Sequence, residues 1–126
     1  MEVKTDTKEK FHVIGVLTPH LSANMSDDLT KVLQDYLNKE PKNIVLNAKD
    51  ILSIEEATAE ALVRVQQKFY ENNASFVICE LQPEVEAFLD EKELLEMMNV
   101  TPTESEAWDI VQMEEIEREL LGDEDF

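Results

Sequence analysis

Residues 53–58, Ser-Ile-Glu-Glu-Ala-Thr, gather two hydroxyls and two carboxylates within six positions. They stand where an apolar run, Ile44-Val45-Leu46, breaks at Asn47-Ala48-Lys49-Asp50, resumes at Ile51-Leu52 and opens into an amphipathic helix. The first turn of a helix concentrates unpaired N–H groups and the positive end of the helix dipole, so it favours carboxylates and phosphates. As an acid–base pair Glu55 and Glu56 are poorly placed. Neighbours in a helical turn point about 100° apart, and the sequence supplies no third group to set their roles. An enzyme would need a closed pocket with convergent polar groups at the Asn47–Glu56 loop, and no catalytic residue is expected.

The remaining candidates for chemistry are few. His12 falls in an apolar strand and His20 follows Pro19, with no Cys or His at ligand spacing, so no metal is expected. The single cysteine, Cys79, lies in Phe76-Val77-Ile78-Cys79 and reads as a core thiol. The only glycines are Gly15 and Gly122, so there is no loop to cradle phosphates, and no cofactor is expected.

With 29 acidic against 11 basic residues the formal charge is −18, which repels phosphate backbones and anionic lipid and argues against a nucleic-acid partner. From Glu104 onward there are ten acids and one base, Arg118, so half of the excess sits in the last 23 residues. That end is either a solvated helix face or a docking surface for something basic. No apolar run approaches the roughly 20 residues that span a bilayer, and Met1–Asp6 has no secretory pattern, so a cytoplasmic location is the default expectation.

The elements that position these groups follow from periodicity. Val3–Thr7 and Phe11–Leu17, separated by Lys8-Glu9-Lys10, predict a β-hairpin. Met25, Leu29, Val32, Leu33 and Tyr36 recur at helical spacing, with Asn24 or Ser26 as N-cap and an end near Asn38. A strand over 43–46 precedes a helix over 54–70 that turns Thr58, Leu62, Val65 and Phe69 to one side and ends at Asn72-Asn73. Ala74–Leu81 reads as a buried strand, and Gln82-Pro83 starts a helix with Val85, Phe88 and Leu89 inward. A short strand at 98–101 leads to a capping box, Thr103 to Glu106, and a last helix with Ala107, Ile110, Met113 and Leu120 on its inner stripe. Trp108 and Val111 form a second apolar pair off that stripe, to be covered by a neighbouring helix or a dimer mate, or else to serve beside the acidic residues as a docking surface. Gly122 is expected to stop the helix, leaving 122–126 as an acidic tail to a single domain over 1–121. Strands alternating with helices predict an α/β domain, a mixed sheet with a parallel centre and an antiparallel N-terminal edge, packed with about four helices. Ligands of such sheets sit beyond the strands' carboxyl ends, where the 47–56 loop falls.

This order and spacing resemble the STAS domains typified by bacterial anti-sigma factor antagonists, over nearly the whole chain. Those domains show a Gly-x-Leu-Asp-like turn before the first helix and Asp-Ser-x-Gly at the start of the second. The corresponding places here are Pro19-His20-Leu21-Ser22, then Ile44-Val45-Leu46-Asn47, Ile51-Leu52-Ser53-Ile54 and Glu55-Glu56-Ala57-Thr58. The resemblance implies a non-catalytic domain that docks an anti-sigma factor or serine-kinase-like ATPase through Ser22, Ser53, Glu55, Glu56 and Thr58. In partner-switching members the serine of that motif is phosphorylated, which releases the partner. Glu56 stands at that serine's place and cannot accept a phosphoryl group; Ser53 and Thr58 are the nearby hydroxyls that could.

Two readings of Glu56 stay open. As the N3 residue of a capping box begun by Ser53 it stabilises the helix by about 1 kcal/mol. As a permanent, partial imitation of phosphoserine it holds the domain near one binding state. A subunit of a membrane transport complex, contacting an ATPase, is the alternative within the family.

Overall fold

Central strands with apolar side chains on both faces must be covered on both sides, and this dictates the layering. The computed structural model describes residues 1–124, with side chains to Leu121. A hairpin, β1 (Val3–Thr7) and β2 (Phe11–Val16), is followed by a short strand β3 (His20–Leu21), a 3₁₀ turn (Ala23–Met25) and α1 (Ser26–Gln34), which runs into a second 3₁₀ turn (Asp35–Asn38). Then come β4 (Asn43–Asn47), β5 (Ser53–Ile54), α2 (Glu56–Glu71), β6 (Phe76–Cys79), α3 (Pro83–Glu91), a third 3₁₀ turn (Leu95–Met97), β7 (Val100–Thr101) and α4 (Glu104–Glu124).

The main sheet has the order β1-β2-β4-β6-β7, antiparallel only between β1 and β2, as the alternation of strands and helices predicts. Ile44 and Leu46 point to one face, joining Ile14, Phe76 and Ile78 in a core closed by Leu29 and Leu33 of α1, Leu62, Val65 and Phe69 of α2, and Val85 and Leu89 of α3. Val45 points to the other face, where Phe11, Val13, Val77 and Cys79 meet Ala107 and Val111 of α4. Asn43 binds these layers together at the strands' amino ends. Its amide donates to Lys10 O (3.0 Å) and accepts from Ser75 N–H (2.8 Å) and the Arg118 guanidinium (3.3 Å).

Several local expectations are corrected. Neither Asn24 nor Ser26 caps α1: Ser22 precedes a 3₁₀ turn, and Met25 occupies the cap position without a side-chain bond. The 74–81 strand is trimmed to Phe76–Cys79, and the first strand pair ends at Val16. On α4 the inner stripe is Ala107 and Val111, with Trp108 half-buried against Phe11 at 5.3 Å, while Met113 and Leu120 are exposed. Arg118, on the same side of the helix as Val111, reaches Ser75 and Asn43 from this inner side. Half of the expected capping box forms: Glu106 N–H donates to Thr103 Oγ1 (3.2 Å), while the Glu106 carboxylate accepts from the Thr103 hydroxyl (3.3 Å) rather than from its backbone N–H. Gly122 does not stop α4, which runs on to Glu124; the last two residues of the expected tail lie outside the described residues.

Candidate functional site

Beyond the carboxyl ends of β2 and β4 the chain forms a second, two-stranded sheet from β3 and β5. His20 lies opposite Ser53 and Leu21 opposite Ile54. Leu21 and Ile54 alternate inward and are buried, which leaves His20 and Ser53 on the exposed side. There His20 Nδ1 and Ser53 Oγ are 2.8 Å apart. The backbone is stitched at the same place: Leu52 and Ser53 N–H donate to Pro19 O (2.7 and 3.1 Å), and Glu55 N–H donates to Leu21 O (2.9 Å).

This pairing decides where α2 starts. Residues through Ile54 are held extended, so Glu55, with φ −85° and ψ 156°, takes the cap position and Glu56 is the first helical residue. The Ser53–Glu56 capping box is therefore absent: Ser53 is in a strand, and no side chain caps α2. Glu55 spends its carboxylate elsewhere, Oε1 accepting from Ala23 N–H at 2.7 Å. Ser22 O accepts from Met25 N–H (3.0 Å) and Thr58 Oγ1 (2.7 Å), and the Ser22 hydroxyl bonds Asn24 Oδ1. Thr58 is fully buried, its Oγ1 also 3.1 Å from Ser26 Oγ. It ties α2 to the turn before α1 and does not lie on the surface as expected.

Glu56 is exposed and reaches towards the end of α3, where Lys92 Nζ lies 3.8 Å from Oε1. Both side chains are well solvated, so this pair is worth at most ~1 kcal/mol and leaves the carboxylate accessible. The structure thus brings Ser22, Glu55 and Thr58 into one bonded cluster, sets Ser53 beside it through β3–β5, and presents Glu56 at its outer edge. Sequence reasoning missed three members: His20, Ala23 and Lys92. The two strands that deliver His20 and Ser53 are two residues each, too short to show a period, and their pairing spans 33 positions.

At the other end of the 47–56 loop a half-open cleft of about 400 Å³ is lined by Asn47, Lys49, Asp50, Asp6, Lys4 and Glu104 among others. Nearby, Cys79 Sγ and carboxylate oxygens of Glu80 and Glu104 lie within 4.8 Å of one another. Asn47 Nδ2 donates to both carboxylates (2.9 and 3.2 Å). Burial, then the charges of Glu80 and Glu104, push the Cys79 thiol up to about 12, so it keeps its proton and is a poor metal ligand or nucleophile. Cys79 is a core thiol, as read from its neighbours.

The STAS domain family model matches residues 3–107. No curated protein matches the chain by sequence. Among solved structures, a proposed anti-sigma factor antagonist from Thermotoga maritima aligns at 20% identity with a TM-score of 0.73, covering 87% of this chain and 94% of its own. The anti-sigma factor antagonist SpoIIAA in its unphosphorylated form aligns at 14% identity and TM-score 0.68, covering 88% and 96%. A serine-to-glutamate variant of RsbS from Moorella thermoacetica aligns at 16% identity and TM-score 0.71, covering 89% and 96%. Among the described residues no helix is long and apolar enough to cross a membrane. The family match runs from β1 into the first turn of α4, the five-stranded sheet and its helices have the expected order, and the chain belongs to the STAS domain family.

Proposed function

We propose that the chain is a non-catalytic regulatory module of the cytoplasm that docks an anti-sigma factor or a serine-kinase-like ATPase. The docking surface is the ledge of Ser22, Ser53, Glu55 and Glu56, extended by His20 and supported from beneath by Thr58. The observation that carries this reading is the start of α2: an uncapped first turn on which Glu56 stands exposed, with only a solvated pair to Lys92. A partner meets there a fixed negative charge at the place where partner-switching relatives carry their serine. The cleft at Asn47 and Asp50 lies at the far end of the loop from this turn, which favours binding over catalysis at Glu56.

The absence of the capping box supports reading Glu56 as a partial imitation of phosphoserine, beside its place as a first-turn acid at the positive end of α2. One carboxylate charge replaces roughly −1.5 to −2 on a phosphate, so the imitation is partial and the module is biased towards one binding state. Covalent switching, if the chain uses it, falls to Ser53, the exposed hydroxyl beside His20, since Thr58 is buried.

The test is affinity capture from lysate of the source organism with wild type, Glu56→Ser and Glu56→Lys. Recovery of an ATP-binding kinase or anti-sigma protein should change across the three, while circular dichroism shows all three folded, as expected for substitutions at a solvated residue. If every bound protein is indifferent to position 56, this surface is not the interface. Recovery dominated by membrane transport components would favour the transport-complex reading.

A further inference from the structure

The helix α4 is apolar on two opposite sides. Its inner side, Ala107 and Val111, packs on the sheet. On the outer side Met113, Ile116 and Leu120 follow one another at i, i+3 and i+7 and are 52%, 56% and 60% exposed. Leu121, 61% exposed, lines with Tyr70 of α2, 80% exposed, a groove of about 460 Å³ that also holds Glu71, Glu114, Glu117 and Arg118. Scattered exposed apolar residues need no explanation, but a contiguous stripe along one helix face marks an interaction surface.

Charge selects what covers it. Glu106, Asp109 and Glu117 are interleaved with the stripe and exposed. The one base of the helix, Arg118, is half-buried and turns to Ser75 Oγ (3.1 Å) and Asn43 Oδ1 (3.3 Å), and among the described residues it forms no ion pair with the outer acids. A second copy would bring the same acids against these, and nucleic acid or anionic lipid would be repelled by a chain of net charge −18. We propose that the outer face of α4 docks a basic amphipathic helix of another protein, whose apolar stripe lies on Met113, Ile116 and Leu120 and whose flanking Lys and Arg meet Glu106, Asp109 and Glu117. This surface is distinct from the ledge at Glu56 and stands whether or not that ledge is an interface.

The probe is a labelled synthetic helix of Leu and Lys, Leu at i, i+3, i+4 and i+7. At about 1.5 Å per residue, about 16 residues span the ~22 Å from Glu106 to Leu121. Its anisotropy is titrated with the full chain, beside a scrambled peptide of the same composition. The ordered peptide should bind, and Ile116→Ser/Leu120→Ser should weaken it about tenfold, from the loss of two apolar anchors. Glu84→Gln, an exposed acid on α3, should leave binding unchanged, and circular dichroism should show all variants folded. Equal binding of the scrambled peptide, indifference to the double substitution, or no binding at all would overturn the proposal. So would concentration-dependent self-association in sedimentation that the same double substitution abolishes, because the occupant would then be a second copy.

Discussion

The carboxylate of Glu55, the cap residue just before α2, accepts a hydrogen bond from the backbone N–H of Ala23, 32 positions earlier, at 2.7 Å. One side chain thereby satisfies the first free donor of the turn that leads into α1 while its own helix starts uncapped. Glu55 is thus a clamp between the two segments that build the ledge, and Thr58, bonded to Ser22 O, is the second clamp.

Removing the first clamp should be felt locally. Glu55→Ala is expected to cost about 1 kcal/mol, the usual scale for losing a capping carboxylate, and Glu55→Gln, which retains an acceptor, less. Amide exchange at Ala23 should accelerate in the alanine variant. Unchanged exchange there would mean that the bond contributes nothing in solution.

The Cys79 thiol makes a prediction with a definite sign. Its pKa in the fold is raised to about 12 by burial and by Glu80 and Glu104. An unfolded thiol releases its proton near pH 8.5. Between those values the folded chain binds the extra proton, so stability from this group is whole below the unfolded value and falls as pH rises towards 12. Lys and Tyr titrate in the same range, so the quantity to read is the difference in urea midpoint between wild type and Cys79→Ala from pH 8 upward. That difference should shift against wild type with rising pH, whereas a constant difference would show that the thiol ionises freely in the fold.

On α4 the two sides should respond oppositely to truncation. Val111 is fully buried and Val111→Ala should destabilise by about 1–3 kcal/mol, through lost transfer energy and the cavity left behind. Met113→Ala, on the half-exposed outer face, should stay within about 0.5 kcal/mol. Denaturant unfolding of the two variants reads this directly, and similar losses would place Met113 in the core.

The sequence by itself determined the order of nine elements, from the opening hairpin to the last helix, the parallel centre and antiparallel edge, the burial of Cys79 and the face of α2 that carries Thr58, Leu62, Val65 and Phe69. Each of these rests on a local period or an apolar run, which the chain displays whatever its neighbours do. Tertiary structure alone decided that Ser53 pairs with His20 rather than capping a helix. It also decided that Glu55 reaches Ala23, and that α4 turns Val111 inward and Met113 outward. Those outcomes depend on partners more than 30 positions away, or on which of two apolar stripes the sheet can accept. No local pattern encodes that choice, because the competing stripes and caps differ only in what the folded chain places against them.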